Sequence, residues 1–253
     1  MSKLLDVLLD LFFPAYCLAC RARLLVGAGT APPGFCDGCR ATFISGLEGG
    51  CPSCGVVWLD PPPGGGAHLC GPCQSQPPPW VEARGAFAYG GALQEAIARW
   101  KNTTGLTGGD ALGAPLVGLM LGAIARAGWD RLASDTIVVP VPATRAALIR
   151  RGFNPAGVLA HRLARRIARR FEPTALTIRR VPEPSAGLGR AARRRRMRGV
   201  FDATPRRVAG RTVLLVDDVM TTGATVRAAT DALLRAGARG VRIAVLARVP
   251  GGS

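Results

Sequence analysis

Eight cysteines in the first third of the chain form the clearest chemical pattern in the sequence. All belong to C-x-x-C pairs, and a shift of 34 residues superimposes the first four on the last four: Cys17, Cys20, Cys36, Cys39, then Cys51, Cys54, Cys70 and Cys73. Two such pairs joined by a 15-residue hairpin supply a closed tetrahedral site of four thiolates for Zn²⁺. The spacing therefore predicts two structural zinc ions. Each C-x-x-C pair forms one knuckle. Two knuckles that are consecutive in the chain share an ion if the pairing follows the repeat, and interleaved pairing is the alternative.

Disulfides, a redox-active C-x-x-C pair and an iron centre are the other interpretations of these thiols. The apolar start at 4–13 contains two aspartates and ends at Pro14, well short of the roughly 20 apolar residues of a membrane span. We therefore expect a short amphipathic helix there, no membrane span and a cytoplasmic protein, a compartment in which disulfides rarely persist. A redox protein needs one C-x-x-C pair at a helix start, whereas iron accepts the same thiolates as zinc. Zinc is the prediction, and iron is the remaining alternative.

A second constellation follows an apolar run at 213–216. It consists of two adjacent carboxylates and a hydroxyl-rich turn with one glycine: Asp217, Asp218, Thr221, Thr222, Gly223, Ala224 and Thr225. A loop that enters a helix N-terminus offers unpaired N–H groups and the positive end of the helix dipole to a phosphate. Carboxylates at a strand end can accept hydrogen bonds from vicinal sugar hydroxyls. The pattern predicts a cradle for a ribose 5-phosphate rather than an incidental helix cap.

The elements that position these groups are predicted from hydrophobic patterning. With 253 residues, 48% of them hydrophobic, the chain can bury a substantial core. Beyond the proline boundary at 77–79, predicted strands at 83–89, 136–141, 175–178, 212–216 and 241–246 alternate with predicted helices at 91–100, 110–127, 154–171 and 225–236. This alternation indicates an α/β fold with a parallel sheet flanked by helices. We expect two domains, a double zinc ribbon at 1–80, held together largely by metal, and the α/β domain at 81–253.

Basic residues are concentrated in the second half of the chain. Residues 1–125 hold seven basic and eight acidic groups, and residues 126–253 hold 26 and eight. Such a surplus can bind the phosphates of DNA or RNA, and a solvated helix face beside a pyrophosphate site is the alternative. The candidate nucleic-acid residues are those of a helical stripe and an arginine run: Arg165, Arg166, Arg169, Arg170, Arg193, Arg194, Arg195 and Arg196.

The motif at 213–226 resembles the phosphoribosyl-pyrophosphate motif of type I phosphoribosyltransferases, and the wider chain resembles the ComF competence family (ComFC/GntX-like), including its double zinc ribbon. Further similar segments are 4–17, 87–89 with Lys101 downstream, 139–142, 151–154, 190–201 and the closing segment 237–248. The resemblance implies a type I phosphoribosyltransferase-like sheet. It also implies a ligand, phosphoribosyl pyrophosphate, bound together with Mg²⁺.

The resemblance also implies residue roles. Asp217 and Asp218 would hold the ribose 2- and 3-hydroxyls and serve the chemistry, and residues 221–225 would bind the 5-phosphate. The pyrophosphate loop would comprise Val141, Pro142, Ala143 and Arg145, and 190–201 would be a mobile hood. Departure of pyrophosphate from C1 would leave an oxocarbenium-like centre for an acceptor, with arginine and Mg²⁺ stabilising the leaving charge.

Three positions depart from the family pattern, and a fourth departs from the hypoxanthine-type enzymes of the superfamily. Pro155 stands where the family commonly has Gln, and Ser185 and Arg196 stand where it commonly has Gln and Asn. Hypoxanthine-type enzymes carry an aspartate base where this chain has Thr221. A hydroxyl does not deprotonate a purine, so the acceptor must be activated elsewhere or not at all.

Two functions follow from these patterns. The first is a phosphoribosyltransferase, of the glycosyltransferase class, that binds Mg²⁺-phosphoribosyl pyrophosphate in DNA uptake, competence or nucleotide-related metabolism. The second is a non-catalytic DNA-binding competence or recombination factor that uses the fold as a sensor or scaffold. The expected partners are phosphoribosyl pyrophosphate, single- or double-stranded DNA, and competence or recombination proteins.

Overall fold

The computed structural model describes residues 15–24, 34–47, 50–58, 68–103, 106–126, 128–129, 132–181 and 189–251. The helix predicted at 4–13 and Ser185 lie outside these residues. The described helices are α1 (Asp37–Ala41), α2 (Gly71–Ser75), α3 (Gly91–Asn102), α4 (Leu106–Arg126), α5 (Arg145–Arg151), α6 (Pro155–Arg166), α7 (Arg190–Met197), α8 (Pro205–Val208) and α9 (Ala224–Arg235). The described strands are β1 (Glu82–Ala88), β2 (Ile137–Pro140), β3 (Arg170–Phe171), β4 (Leu176–Ile178), β5 (Phe201–Ala203), β6 (Thr212–Met220) and β7 (Gly240–Arg248). Among the described helices, none is long and apolar enough to cross a membrane.

Five of the strands form a parallel sheet in the order β1-β7-β6-β2-β3. The central strands are almost wholly apolar because both faces of the sheet are covered, as is usual for parallel sheets. The residues 213–216 of β6, for example, are fully buried. The α/β fold with a parallel sheet flanked by helices is therefore confirmed.

The two faces of the sheet carry different layers. On the first face, defined by Val138, Leu214 and Leu246, the core contains residues of α3, α4 and α6. On the second face, defined by Val139 and Leu215, it contains residues of α9 and of β4 and β5. Because of this division, surface groups that are near one another in the sequence can lie on opposite faces of the sheet. This matters for function.

The cysteine-rich region packs on the edge of this sheet. Ala88 donates from its backbone N–H to the carbonyl of Ile44, at 2.9 Å, and Gly46 donates to the carbonyl of Ala86, at 3.0 Å, so residues 44–46 cover the free edge of β1. Cys17 belongs to the core of the first face, and Cys51 belongs to the core of the second. Burial against the sheet therefore supports this region in addition to any metal, and the expectation that metal supplies much of its folding free energy stays a prediction. The division at residue 80 stays a prediction, since many contacts cross it.

Two predicted elements are wrong in extent or partner. The helix predicted at 154–171 ends at Arg166, since Ala168 adopts a left-handed backbone with φ of 51°, and Arg170 and Phe171 form β3 beside β2. The run at 175–178 does not join the parallel sheet. It pairs antiparallel with β5 in a separate two-stranded sheet. The hood segment expected at 190–201 consists of α7 and the start of β5, and its mobility stays a prediction.

Candidate phosphoribosyl site and metal centres

The sequence indicated that the two adjacent carboxylates follow the strand. In the structure they lie within the last part of β6. Pairing with β2 stops at Val216, whereas pairing with β7 continues to Met220. Beyond Val216, β6 pairs with β7 alone among the described strands, and this opens the edge of the sheet next to Asp217 and Asp218. Both residues are partly buried.

Electrostatics at the carboxylates is set by burial, by their mutual repulsion and by one lysine. The pKa of Asp217 is raised to about 8. The larger cause is loss of hydration on burial, and the second is the negative charge of Asp218. The Lys101 Nζ lies 2.8 Å from the Asp218 Oδ2, and its positive charge lowers the pKa of Asp217. In the sequence, only the family resemblance points to Lys101. Its one independent signal is that it is one of two lysines in the chain, with Lys3.

The turn after β6 leads directly into α9. Gly223 precedes the helix with a left-handed φ of 77°, a backbone conformation that favours glycine. The Thr222 Oγ1 accepts a 3.4 Å hydrogen bond from the backbone N–H of Ala224. The Thr221 side chain is exposed, and Thr225 is partly buried in the first turn of the helix. The turn and the first turn of α9 thus bring three hydroxyls and a helix N-terminus directly after the carboxylates in the chain.

The predicted pyrophosphate loop begins beside the residue that precedes the two carboxylates. Since β2 is the neighbour of β6, the backbone N–H of Val141 donates to the carbonyl of Val216 at 2.9 Å. Pro142 and Ala143 follow as partly buried loop residues, and Arg145 is exposed in the first turn of α5. The loop is held by Asn154, whose Nδ2 donates to the Val141 carbonyl at 3.0 Å. The sheet therefore places the two predicted halves of a phosphoribosyl site side by side.

The cysteines assemble as two four-cysteine clusters with sequential pairing, and interleaved pairing is excluded. The first comprises Cys17, Cys20, Cys36 and Cys39, and the second comprises Cys51, Cys54, Cys70 and Cys73. In each cluster the sulfurs lie within 4.8 Å of one another, and two representative sulfur pairs are 3.7 and 3.6 Å apart. A tetrahedral zinc–thiolate site with bonds near 2.3 Å needs sulfurs about 3.8 Å apart. The donor sets and their spacing therefore fit zinc.

The internal repeat is also visible in the backbone. Arg21 and Gly55, 34 residues apart, have nearly the same left-handed φ, 64° and 63°. Each donates its N–H to the carbonyl of the first cysteine of its unit, Cys17 or Cys51. At Gly55 an added Cβ would lie 2.7 Å from the carbonyl oxygen of Ala83 in β1. The second knuckle therefore fits against the sheet only with glycine at this position.

The eight candidate nucleic-acid arginines do not form one surface. Arg165 and Arg166 are exposed at the end of α6 on the first face, whereas α7, which carries the arginine run, contacts α9 on the second face. Arg169 bonds to the backbone carbonyls of Leu132 and Ala133. The remaining members are placed as follows: Arg170 pairs with buried Glu172, and Arg193, Arg194, Arg195 and Arg196 lie on α7. The single helical stripe predicted for Arg165, Arg166, Arg169 and Arg170 is therefore wrong, since α6 ends at Arg166.

A basic groove of about 600 Å³ runs along α9 from the turn at Ala224. Five arginines and a single acidic residue, Asp231, are among its lining residues: Arg179, Arg194, Arg198, Arg227 and Arg235. Burial is the larger cause that lowers the pKa of Arg227, and the positive charge of Arg194 is the second. Of the predicted nucleic-acid residues, Arg194 is among those that line this groove, whereas its other arginines were not predicted to bind nucleic acid.

Comparisons with known proteins agree with this architecture. The phosphoribosyl transferase domain family model matches residues 146–253. The DNA utilization protein YhgH of Escherichia coli K12 is 32% identical over 93% of this chain and 97% of its own length, and YhgH of Salmonella typhi is 29% identical over the same shares.

Among solved structures, a purine phosphoribosyltransferase from Pyrococcus horikoshii Ot3 is 17% identical with a TM-score of 0.30, over 54% of this chain and 73% of that one. The match to YhgH spans nearly the whole chain and includes the cysteine-rich region. The chain therefore belongs to the ComF family, the family of the YhgH proteins, and carries a phosphoribosyltransferase-type domain behind two four-cysteine clusters.

Proposed function

We propose that this protein binds Mg²⁺-phosphoribosyl pyrophosphate and acts as a phosphoribosyltransferase-like protein in DNA utilization. The observation that carries the proposal is the juxtaposition of the carboxylates, the turn at 221–225 and the loop at 141–145 on two neighbouring strands. A sugar phosphate with a second anionic group on C1 needs these three sets of partners at once. The name of the YhgH relatives supports the link with DNA utilization.

Each group has a defined task in this proposal. The N–H groups and hydroxyls of 221–225 bind the 5-phosphate at the N-terminus of α9, and the carboxylates of Asp217 and Asp218 accept hydrogen bonds from the ribose hydroxyls. Lys101, now paired with Asp218, restrains that carboxylate and balances its charge. Mg²⁺ bound with the ligand supplies neutralisation of the pyrophosphate charge. Thr221 supplies no base, so an acceptor must arrive already nucleophilic.

Isothermal titration calorimetry of the zinc-loaded protein with Mg²⁺-phosphoribosyl pyrophosphate tests the proposal. At pH 9, where a pKa of about 8 leaves Asp217 mostly ionised, Asp217→Asn and Asp218→Asn should each weaken binding about ten- to hundredfold, the effect of one charge-assisted hydrogen bond of about 1.5–3 kcal/mol. The matched control is Glu95→Gln, an exposed carboxyl on α3, which should bind like the wild type. Absence of binding by the wild-type protein would overturn the proposal. Release of pyrophosphate with a panel of bases and amines then tests catalysis.

Non-catalytic DNA binding is the second candidate function, and the basic groove favours it. Five arginines in one groove exceed the few that a pyrophosphate group needs, and their mutual repulsion makes an anionic partner favourable. The groove contains no aromatic side chain among its lining residues. Binding should therefore depend on phosphates and be largely independent of sequence.

Fluorescence anisotropy with labelled single- and double-stranded oligonucleotides across a salt series tests this second function. The triple variant Arg179→Gln, Arg198→Gln, Arg235→Gln should bind more weakly, and for a single strand the slope of log K against log salt should fall by about 2. The matched control replaces Arg165 and Arg166 by Gln on the opposite face and should leave the slope unchanged. Binding that is absent, or that does not respond to salt, would rule out this function.

A further inference from the structure

The knuckle at 51–54 of the second four-cysteine cluster is attached to the α/β domain by three successive carbonyl groups. The Pro52 carbonyl accepts from the Arg84 Nη1 at 3.1 Å, and the Ser53 carbonyl accepts from the Trp80 Nε1 at 2.8 Å. The Cys54 carbonyl accepts from the Arg248 Nε at 3.4 Å. The position of this knuckle is therefore fixed by side chains that lie outside the zinc unit.

Two of those three side chains also contact the proposed phosphate loop. Arg248, the last residue of β7, is only 3% exposed, and its Nη1 donates to the carbonyls of Met220, at 3.0 Å, and of Thr221. The Trp80 ring lies 3.6 Å from the Cβ position of Gly223, under the guanidinium of Arg227. A cavity of only about 20 Å³ separates knuckle and loop, so the two are closely packed.

The first cluster has a different environment. Cys17 and Leu18 belong to the core of the first face, with residues of α3 and α4, and the Leu18 carbonyl accepts from the Arg99 Nη1 at 3.5 Å. The phosphate loop leads into α9, whose buried residues belong to the second face. The molecule thus contains an internal control, one cluster beside the loop and one on the other face.

We propose that the second four-cysteine centre sets the conformation of the phosphate loop through Arg248 and Trp80, so that metal binding at this centre and ligand binding at the loop strengthen each other. This proposal rests on the proposed function, because the ligand of the loop is phosphoribosyl pyrophosphate. A metal ion holds the knuckle in the geometry that presents the Cys54 carbonyl to Arg248, and Arg248 in turn holds the start of the loop. Since coupling between two binding equilibria is reciprocal, the ligand must tighten the metal site by the same factor.

The decisive experiment measures the zinc affinity of the full-length protein by equilibrium competition with a chromogenic chelator. Cys36→Ser and Cys51→Ser variants assign the two zinc ions to the two centres. Saturating Mg²⁺-phosphoribosyl pyrophosphate should tighten zinc binding at the second centre about tenfold, within the usual range of coupling between sites. Zinc binding at the first centre should change less than about twofold, and inorganic phosphate at the same ionic strength serves as the ligand control.

Three variants separate coupling from general loss of structure. In Arg248→Lys the ligand should still tighten zinc binding at the second centre in part, because an ammonium can still reach a carbonyl. In Arg248→Met this tightening should be lost. Trp80→Phe keeps an aromatic ring beside Gly223 but lacks the indole N–H that donates to the Ser53 carbonyl. It should therefore reduce the coupling between zinc binding and ligand binding. Arg84→Met is the matched control, since it releases the same knuckle without touching the loop, and it should weaken zinc while leaving the ligand effect intact.

The outcomes are distinguishable. Equal zinc affinity with and without ligand, in a protein that binds the ligand by calorimetry, would overturn the coupling and leave the proposed function standing. Absence of ligand binding to the zinc-loaded wild type would overturn both. A ligand effect of equal size at both centres would also refute the proposed path, because it would show stabilisation of the whole fold rather than a route through Arg248.

Discussion

The affinity for Mg²⁺-phosphoribosyl pyrophosphate should rise when the pH is raised from 7 to 9. The pKa of Asp217 is raised to about 8, first by loss of hydration and then by the charge of Asp218. The proposed hydrogen bonds from ribose hydroxyls favour the ionised carboxylate, which only accepts. A pKa of about 8 makes the ionised carboxylate of Asp217 the minor form at pH 7 and the major form at pH 9. The apparent affinity should therefore increase about tenfold, or about 1.4 kcal/mol.

Calorimetry at pH 7, 8 and 9 measures this change. Phosphate groups with a second pKa of about 6 stay charged over this range, so the ligand contributes little. Titration at pH 7 in two buffers of different ionisation enthalpy should show release of up to about one proton per ligand bound. In Asp217→Asn the pH dependence and the proton release should both disappear. In Lys101→Met the affinity curve should shift to higher pH, since the lysine charge lowers the pKa of Asp217.

The sign of the effect on folding provides an independent check. The pKa of Asp217 in the folded protein lies above its ordinary value of 3.8, so the folded state binds more protons than the unfolded state between these two values. The contribution of Asp217 to the free energy of unfolding must therefore fall as the pH rises from about 4 to about 8. An affinity that stays constant from pH 7 to pH 9, without proton release, would refute the assignment of Asp217 as the hydroxyl acceptor.

Three further predictions concern stability and metal. Metal analysis of the purified protein should find two zinc ions per chain, one for each four-cysteine cluster, and fewer than about two would contradict the zinc assignment. Arg207→Met should lower the free energy of unfolding in urea by about 1.5–3 kcal/mol, because it removes a 2.7 Å partner of the buried Glu172 carboxylate. A change within error would show that Arg170 alone suffices to compensate the charge of Glu172. Gly55→Ala should destabilise by about 1–3 kcal/mol, since φ is 63° and the added Cβ meets the Ala83 carbonyl, and an unchanged thermal midpoint would disprove this packing.

The elements that could be predicted from the sequence are those encoded locally. The run from the apolar strand through Asp217 to α9 is continuous in the chain, so strand, turn and helix follow from residue types alone. The same holds for the four-cysteine units, whose pairing follows the 34-residue repeat. The fold class follows from alternation of apolar runs and helices, because a parallel sheet needs a crossover between its strands.

The features that sequence reasoning missed depend on distant contacts. Lys101 reaches Asp218 from a helix 117 residues earlier in the chain, and Arg248 reaches Cys54 over 194 residues. Periodicity also placed Arg169 on a helix that ends at Arg166, since one left-handed residue, Ala168, is not visible in a hydrophobic pattern. The basic surface was misjudged for the same reason, because clustering in sequence does not specify a face of the sheet.

A structure of the protein with bound Mg²⁺-phosphoribosyl pyrophosphate tests the central claim most directly. We predict that the 5-phosphate contacts the N–H groups of residues 222–225 and that the ribose hydroxyls contact Asp217 and Asp218. The pyrophosphate should lie against the loop at 141–145. Ligand bound instead in the basic groove along α9, with the turn at 221–225 empty, would contradict the claim and favour the interpretation of the fold as a scaffold for a larger polyanion.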